Sequence, residues 1–477
     1  MTLAVVTGAS GHIGNNLVRL LLEHGYRVRV LVHRNTAPIE ALPVETTVGD
    51  LLDTESLSRA FEGAGYVFHL AGFVSILESD AAAMERINIE GTKNVLEACR
   101  SARVERLVYA SSIEALLQPG GPSPVDERVE PKPEGPWSAY SRTKYMATRM
   151  VFEAASEGLD AVVVYPTAVV GPGDYRPSLL GQTAIDFAAG KIPCFVEGSF
   201  DFVDVRDVAA GMIAAAERGR SAQGYILGGE RLTTRELARV LEEATGIEAP
   251  RMFLPNRLSM LLAWFAARYY TLTGKTARFT PQSIRMLADG RTVLHRKAHD
   301  ELGYTPRRPE QAFREAVTWF DEKGMLTRVF RSRRDALPVA GAVLFLLLCI
   351  GSGIWGLFEA AGSDRLYALG ALLVGIAYLA TNWPVSYRAG KEELLVRSGL
   401  LRFRIPWKDI TEVRHSRVPI SAPGWSFRRI KICWQNKGKT NSILISPWPL
   451  DSFMKLCTIK RNDQRKSTQG PHPEQGD

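Results

Sequence analysis

The sequence predicts an α/β fold with a Rossmann-type, doubly wound parallel sheet, and two patterns predict it. Five apolar runs typical of buried strands recur across the first 230 residues with helical patterns between them: LAVVTGA, RVRVLVHR, GYVFHLAG, RLVYASS and DAVVVYPT. Buried strands that alternate with helices are typical of β-α-β units. Over residues 231–327 the pattern is mostly helical, which predicts a small substrate-binding lobe after a sheet domain of residues 1–230.

The charge of the chain is unevenly placed. Its 477 residues carry a net charge of +8, and 45% of them are apolar, as in ordinary globular domains. Residues 386–477 hold 18 Lys and Arg against 8 Asp and Glu, so the basic excess lies in this part alone. This asymmetry argues against nucleic-acid binding and for a basic module near an anionic surface. The five cysteines lack metal-ligand spacing, so we expect no metal site and a reducing compartment.

Two long apolar runs predict a pair of transmembrane helices within residues 337–385. Each run, at about 337–358 and 366–385, has nearly the length that crosses a bilayer, and a buried core pair is the alternative. Basic residues flank the pair, which predicts that both ends face the cytoplasm: Arg328, Arg331, Arg333, Arg334, Arg388 and Lys391. No signal peptide precedes the first strand, so we expect a protein of the cell membrane whose first domain and C-terminal module are both cytoplasmic.

Two further segments complete the organisation of the chain. Alternating strand patterns predict a β-rich module over residues 388–462, and the polar residues 463–477 are predicted to be disordered. The segment NRLSMLLAWFAARYYTLTG, residues 256–274, is apolar but short for a membrane span. We interpret it as a core helix of the small lobe; the alternative is a helix that contacts an apolar substrate or the bilayer surface.

A glycine-rich turn follows the first predicted strand. Glycines in GASGHIG allow a tight turn and a close approach to a pyrophosphate, and the next helix offers its N-terminal N–H groups. The turn has the strand–turn–helix context that this motif requires. We therefore predict a dinucleotide-binding site that includes Gly8, Ser10, Gly11, His12, Ile13 and Gly14.

The end of the second strand favours one cofactor over another. An acidic residue there would bind the ribose 2′-hydroxyl of NAD, but the chain has His33 and Arg34. A guanidinium suits a 2′-phosphate, so the sequence favours NADP, with NAD as the alternative. The structural alternative is an exposed arginine without a ligand.

The motif SAYSRTK places Tyr140 and Lys144 four residues apart, on one face of a helix. A free tyrosine, with a pKa of about 10, is a poor acid–base catalyst at neutral pH. A neighbouring ammonium would lower that pKa, so Tyr140 could exchange a proton with an alcohol or ketone beside a nicotinamide. The motif follows a strand that ends at Ala110-Ser111-Ser112, which strengthens the prediction.

Together, TGASGHIG, HLAG, YASS, YSRTK and YPTAVVGPGD resemble the extended short-chain dehydrogenase/reductase family over about residues 1–325. The branch is similar to dihydroflavonol-4-reductases, 3β-hydroxysteroid dehydrogenases and hopanoid-associated epimerases. The resemblance implies that Ser112, or else Ser111, holds the substrate carbonyl, that Tyr140 is the acid–base, and that Lys144 also binds the nicotinamide ribose. It also implies cofactor contacts at four sites: Asp50 and Leu51 at the adenine, Ala71 and Gly72 along the cofactor, and Pro166 by the nicotinamide.

The last 70 or so residues resemble bacterial pleckstrin-homology-like domains, chiefly through LLVRSGLLRFRIPWKDITEVRHSRVPIS and ILISP. Basic residues of this module could contact anionic lipid headgroups, or they could form a solvated face: Arg402, Arg404, Lys408, Arg414, Arg417, Arg428, Arg429 and Lys431.

Three functions compete at this point. The first is a membrane-tethered NAD(P)-dependent oxidoreductase that interconverts a carbonyl and a secondary alcohol on an apolar or lipid-linked small molecule. The second is a nucleotide-sugar epimerase or dehydratase with tightly bound NAD, and the third is a scaffold without catalysis. Arg34 favours the first, and so does Phe200, an odd partner for a diphosphate where such enzymes often carry an arginine. Family analogy also predicts a homodimer.

Overall fold

The computed structural model describes residues 1–33, 36–118, 120–121, 123–134, 137–273, 281–332, 336–359, 364–416, 426, 428–436 and 438–468. The chain forms two compact units. The first comprises Met1–Ala184, Pro193–Val240 and Pro250–Trp319, and the second comprises Ile185–Ile192, Leu241–Ala249 and Phe320–Asp477.

Twenty strands are described along the chain. They are β1 Leu3–Thr7, β2 Arg27–Val32, β3 Glu45–Val48, β4 Tyr66–His69, β5 Arg106–Ala110, β6 Ala161–Pro166, β7 Ala168–Val170, β8 Phe195–Val196, β9 Ser199–Asp204, β10 Gln223–Leu227, β11 Glu230–Thr233, β12 Phe253–Leu254, β13 Arg328–Ser332, β14 Val385–Ala389, β15 Glu393–Ser398, β16 Leu401–Pro406, β17 Ile410–Ser416, β18 Arg429–Asn436, β19 Lys439–Ile445 and β20 Pro447–Trp448.

Fifteen α-helices are described. They are α1 His12–Glu23, α2 Thr54–Phe61, α3 Ala81–Glu85, α4 Gly91–Ser101, α5 Ala139–Ser156, α6 Leu179–Ala188, α7 Val205–Arg218, α8 Thr234–Thr245, α9 Asn256–Thr273, α10 Pro281–Asp289, α11 Arg296–Leu302, α12 Pro309–Glu322, α13 Ala336–Glu359, α14 Asp364–Asn382 and α15 Leu450–Thr468. A π-helical turn, Arg86–Glu90, joins α3 to α4.

A seven-stranded parallel sheet in the first unit confirms the predicted Rossmann fold. Its strand order is β10-β6-β5-β4-β1-β2-β3, so the order reverses between β1 and β4. Apolar side chains are buried on both faces, with Leu57 and Val151 in one core and Leu17 and Met212 in the other. In such sheets, ligands bind outside the carboxyl ends of the strands at the point of reversal.

Helix α9 differs from the prediction for residues 256–274. It is a helix, but five large apolar side chains on it are exposed: Leu258, Leu261, Leu262, Trp264 and Phe265. Only Ser259 and Ala263 are buried among the side chains described there. The prediction of a core helix holds for one face only, where Ala263 and Met260 pack into a cluster with Val196 and Ile284. The exposed apolar face fits the alternative of a surface that contacts an apolar partner.

The second unit contains two antiparallel sheets. The larger one has the order β16-β15-β14-β13-β20, and the smaller one has the order β17-β18-β19. Fully buried aromatic side chains fill its core, among them Phe330, Tyr387, Trp407 and Phe453. The Trp407 indole N–H donates to the Gly390 carbonyl at 3.0 Å. The β-rich C-terminal module is confirmed.

Strand β13 was not predicted, and it precedes the apolar hairpin in the chain. It pairs with β14, which follows the hairpin, in the register Arg331 opposite Ser386. The helices α13 and α14 are therefore inserted between two neighbouring strands of one sheet. The hairpin therefore leaves and re-enters the sheet at the same end of this antiparallel strand pair.

The structure contains the two helices predicted for residues 337–385, as α13 and α14. Within the described residues, however, no helix is both long and apolar enough to cross a membrane. The transmembrane assignment is thus not confirmed by the structure. Most of the large apolar side chains described on the hairpin are exposed, with Phe358 at 82%.

Candidate active site

The glycine-rich turn after β1 leaves no room for a side chain at Gly8 or Gly14. Gly8 has a left-handed backbone, with φ of +73°, and a Cβ there would lie 2.6 Å from the Ala71 backbone nitrogen. A Cβ on Gly14 would overlap the Gly8 carbonyl oxygen. Helix α1 begins at His12 without a side-chain cap, so its first N–H groups remain available. This cradle fits a pyrophosphate, as the sequence predicts.

Other residues of the motif anchor the turn to the loop that follows β7. The His12 ring nitrogen Nε2 lies 3.2 Å from the carbonyl oxygens of Gly171 and Pro172. The Asn15 amide donates to the Gly173 carbonyl at 2.9 Å. The His12 side chain therefore holds the loop after β7. Only the backbone of His12 remains for the predicted cofactor contact. Ser10 is half-buried, and Ile13 packs against the core.

Asp50 and Leu51 follow β3, next to the end of β2. One Asp50 carboxylate oxygen lies 3.3 Å from His33 Nε2, and the other accepts the Leu52 backbone N–H at 3.0 Å. Leu51 is buried. Arg34, on which the preference for NADP depends, lies outside the described residues.

Sequence reasoning missed Asn88, which holds the turn after β4. Its amide accepts the Phe73 N–H at 2.7 Å, and donates to the Phe73 carbonyl at 2.9 Å and the Thr143 hydroxyl at 3.1 Å. A Cβ on Gly72 would lie 3.1 Å from the Asn88 side-chain oxygen Oδ1. Asn88 therefore positions the predicted Ala71-Gly72 edge against α5. An asparagine within an otherwise amphipathic helical pattern was the available signal.

The two adjacent serines after β5 point in different directions. The buried Ser111 hydroxyl is 2.7 Å from the Thr148 hydroxyl. The Ser112 side chain is half-buried, its hydroxyl oxygen accepts the Glu114 backbone N–H at 3.2 Å, and it lies near enough to Tyr140 to lower the pKa of that phenol. The structure thus brings Ser112, not Ser111, to Tyr140. Pro166 is buried at the end of the neighbouring strand β6.

Helix α5 carries both Tyr140 and Lys144. The pKa of Tyr140 is raised to about 12, chiefly by burial; Ser112 lowers this pKa and the charge of Glu114 raises it. Burial lowers the pKa of Lys144 to about 8, and its ammonium donates to the Ala110 carbonyl at 2.8 Å. The predicted lowering of the Tyr140 pKa by Lys144 is not found. The physical reason is that desolvation dominates, while the ammonium is directed to a backbone oxygen.

Glu114 is a second buried acid beside this group, and the sequence analysis did not predict it. It is 8% exposed, and its carboxylate accepts the Ser141 hydroxyl at 2.9 Å. Burial raises its pKa to about 7. Its place two residues after Ser112 was the available signal. Within the described part of the chain, no group of three His, Cys, Asp or Glu residues could hold a metal ion.

A cavity of about 460 Å³ lies next to Glu114. It is lined by Ser138 and Ser141, the serines on either side of Tyr140 in sequence. Its apolar lining is supplied by Leu117, Trp137, Phe200, Met260, Met286 and Ala288, and its charged lining by Glu114, Arg285, Asp289 and Arg291. A mostly apolar wall with a few polar groups is typical of a small-molecule site.

The basic residues of the C-terminal module are not equally placed. The side chains of Arg404 and Arg414 are exposed, at 74% and 59%. Arg429 is instead buried, and its Nε donates to the Ser426 carbonyl at 2.7 Å. Arg429 therefore does not belong to the predicted headgroup-binding set, and Arg417 lies outside the described residues.

Two regions of the chain are similar to known protein families. Residues 4–228 match the NAD dependent epimerase/dehydratase family, and residues 385–460 match the bacterial PH domain family. Sterol demethylase protein B of Methylococcus capsulatus is 39% identical over 68% of this chain and 99% of its own length. A 4-hydroxy-2-methyl-3-oxo-4-farnesyl-3,4-dihydroquinoline-1-oxide ketoreductase of Stigmatella aurantiaca is 32% identical over 63% of this chain and 91% of its own. A nucleoside-diphosphate-sugar epimerase structure from Pseudomonas aeruginosa is 25% identical, with a TM-score of 0.57, over 68% of this chain and 99% of its own.

Proposed function

The chain belongs to the NAD-dependent epimerase/dehydratase family and is an NAD(P)-dependent oxidoreductase; on that premise we propose that it interconverts a carbonyl and a secondary alcohol on an apolar, lipid-like substrate. The observation that carries the proposal is that Ser112 lies near enough to Tyr140 to lower the pKa of its phenol, with Lys144 one turn further along α5. A bound nicotinamide would supply or accept the hydride.

The residues of the chain have separate tasks in this reaction. Ser112 positions the substrate oxygen by hydrogen bonding, and Tyr140 exchanges the proton with that same oxygen. Lys144 places a positive charge near the cofactor ribose and the tyrosine. Asn88 holds the turn that carries Ala71 and Gly72 in line with these groups.

The preference for NADP over NAD is part of the proposal, and Arg34 supports it by its charge alone. The test is to denature the purified protein, identify any released nucleotide, and titrate the emptied protein with NADPH and NADH. Freely exchanging NADP(H), bound at least tenfold more tightly than NAD(H), is the expected result. One equivalent of retained NAD would support the alternative of an epimerase or dehydratase.

An apolar substrate is supported by the cavity and by α9. Met260 of α9 lines the cavity, while Trp264 and Phe265 on the same helix are exposed. One helix thus joins the cavity wall to an apolar outer surface, which suits a substrate that arrives from a lipid phase. Two relatives carry names that refer to a sterol and to a farnesylated quinoline oxide, both largely apolar.

We further propose that the hairpin α13–α14 inserts into the cytoplasmic leaflet of the cell membrane. Its exposed apolar side chains support this, because so large an apolar surface is unfavourable in water: Val343, Leu344, Phe345, Leu347, Leu348, Ile354, Trp355, Leu357, Phe358, Leu366, Tyr367, Leu369, Leu373, Val374 and Ile376. Since β13 and β14 are paired, both ends of the hairpin lie on one side of that membrane. The exposed Arg404 and Arg414 could then meet anionic headgroups.

The pairing of β13 with β14 allows a clean test of the tether. Residues 333–384 are replaced by an Asn-Gly turn, which can close the two antiparallel strands directly. We expect the wild type to float with vesicles that contain anionic lipid, and the variant to stay in solution with unchanged NADPH affinity. Flotation of both proteins would contradict insertion of the hairpin. Gel filtration of the variant also tests the homodimer that family analogy predicts.

A further inference from the structure

One guanidinium in the cavity wall has an unused N–H group. Arg291 forms a two-point ion pair with Asp289, with Nε to Oδ1 at 2.5 Å and Nη2 to Oδ2 at 2.7 Å. The Arg291 side chain is only 9% exposed. Its third nitrogen, Nη1, is buried and has no hydrogen-bond partner among the residues that the structure describes.

Such a group normally has a partner in a folded protein. Buried donors are nearly always satisfied, and an unsatisfied donor costs more when it is charged. The position of Nη1 requires that residue 121 has no side chain, because a Cβ on Gly121 would lie 2.8 Å from this nitrogen. Both Arg291 and Gly121 line the cavity. A ligand oxygen that enters the cavity could therefore satisfy Nη1.

The neighbouring charges favour an anion at this place. Asp289 is already paired with Arg291, and Arg285 adds a second cation to the same wall. Glu114 is the remaining acid of the lining, and its carboxylate is occupied by the Ser141 hydroxyl. Burial also raises the pKa of Glu114, so a large share of this group is uncharged at neutral pH. The lining thus offers more positive than negative charge.

We propose that Arg291 forms an anion subsite in the cavity, and that the substrate is an apolar molecule bearing a carboxylate that accepts a hydrogen bond from Nη1. The proposal rests on the proposed function only in treating this cavity as the place where substrate binds. A phosphate oxygen has the same chemistry, so the experiment separates the two sources. Because Nε and Nη2 are occupied, the contact is to a single nitrogen.

The test compares two small apolar ligands of the same shape, one charged and one neutral. Adamantane-1-carboxylate and the neutral adamantane-1-carboxamide are titrated calorimetrically into the full-length protein in mild detergent at pH 6.5, where Glu114 is mostly protonated. We expect the carboxylate to bind the wild type at least tenfold more tightly, as is usual for a charge-assisted hydrogen bond in a buried site. Inorganic phosphate is added as a competitor in a third titration.

Substitutions of the two members of the ion pair should change the affinity for the carboxylate in opposite directions. Arg291→Gln should reduce the preference for the carboxylate to less than threefold, and Arg291→Lys should retain part of it. Asp289→Asn frees the guanidinium and should strengthen carboxylate binding. Equal affinity of the wild type for both probes, or no binding of either, overturns the proposal, and so does a preference that persists in Arg291→Gln. Competition by phosphate at lower concentration than the carboxylate overturns the choice of carboxylate.

The proposed function is read separately in the same samples. NADPH and NADH titrations report on the cofactor site, which Arg291 does not contact in the described structure. If the wild type binds neither NADPH nor NADH, the proposed carbonyl–alcohol reaction is contradicted, while the preference for the anionic probe can still be measured. Unchanged cofactor affinity in Arg291→Gln also shows that this variant is folded.

Discussion

The Ser141 hydroxyl donates a hydrogen bond to the buried Glu114 carboxylate at 2.9 Å, and this contact joins α5 to the segment that follows β5. The Ser141 hydroxyl is also 2.7 Å from that of Ser138, which caps the N-terminus of α5. Tyr140 lies between these two serines in sequence. These hydrogen bonds therefore connect the first turn of α5, which carries Tyr140, to the Glu114 carboxylate.

Glu114→Gln should change the pH dependence of stability. Burial raises the native pKa of Glu114 from 4.5 to about 7, so the native state keeps a proton that the unfolded state loses. The stability of the wild type therefore falls as pH rises through this window. The glutamine of the variant cannot lose a proton. The free energy of unfolding of the variant, relative to that of the wild type, should therefore rise between pH 4.5 and 7 by on the order of 2–3 kcal/mol.

Thermal unfolding at pH 5 and pH 8 in one detergent checks this. The same change at the exposed Glu62 is the control. If the melting temperatures of Glu114→Gln and wild type differ equally at both pH values, Glu114 is not a titrating buried group.

Tyr140→Phe should lower kcat by about 10²–10⁴-fold, the usual contribution of general acid–base catalysis. Cofactor affinity should stay within about threefold, because the phenolic hydroxyl acts on the substrate. Tyr145→Phe on the same helix is the matched control, since its hydroxyl donates to the Pro131 carbonyl at 3.2 Å, away from the proposed site. Steady-state kinetics on a screened carbonyl substrate measure both variants. Comparable activity in the two would remove Tyr140 from the proposed mechanism.

Gly14→Ala should abolish cofactor binding. The added methyl would overlap the Gly8 carbonyl oxygen, so the turn that cradles the pyrophosphate must open. Gly25→Ala is the control, because that left-handed glycine has open space around it and only its backbone is strained, by about 1–2 kcal/mol. Fluorescence titration with NADPH measures both. Wild-type affinity in Gly14→Ala would mean that the turn does not hold the cofactor.

Asp321→Asn should destabilise the second unit by about 2 kcal/mol or more at pH 7, since it leaves two cations without a counter-charge. Asp321 binds Arg328 at 2.8 Å and Lys460 at 2.7 Å. Burial raises the pKa of Asp321, but the charges and hydrogen bonds of these two partners outweigh burial, so the pKa lies below its ordinary value. The stabilisation is thus present above the ordinary aspartate pKa and is lost as pH falls below it.

Thermal melts of Asp321→Asn and of the exposed neighbour variant Glu322→Gln provide the comparison. The deficit of Asp321→Asn should shrink towards pH 3. A deficit that stays constant from pH 7 to pH 3 would show that the ion pairs do not cause it.

The sequence by itself determined the local patterns of this protein. The turn between β1 and α1, the Tyr140–Lys144 spacing on α5 and the helical hairpin each depend on residues within a few positions of one another. Their periodicity and glycine placement were therefore readable before any contact was known. The β-rich character of the last module was readable for the same reason.

Only the tertiary structure decided which distant groups meet. It turned Ser111 towards Thr148 and Ser112 towards Tyr140, which neighbours in sequence could not distinguish. It paired β13 with β14 across some fifty intervening residues, and it brought Arg291 to the wall that holds Glu114. Burial then set the pKa values of Tyr140 and Glu114, because desolvation depends on what packs around a group and not on its neighbours along the chain.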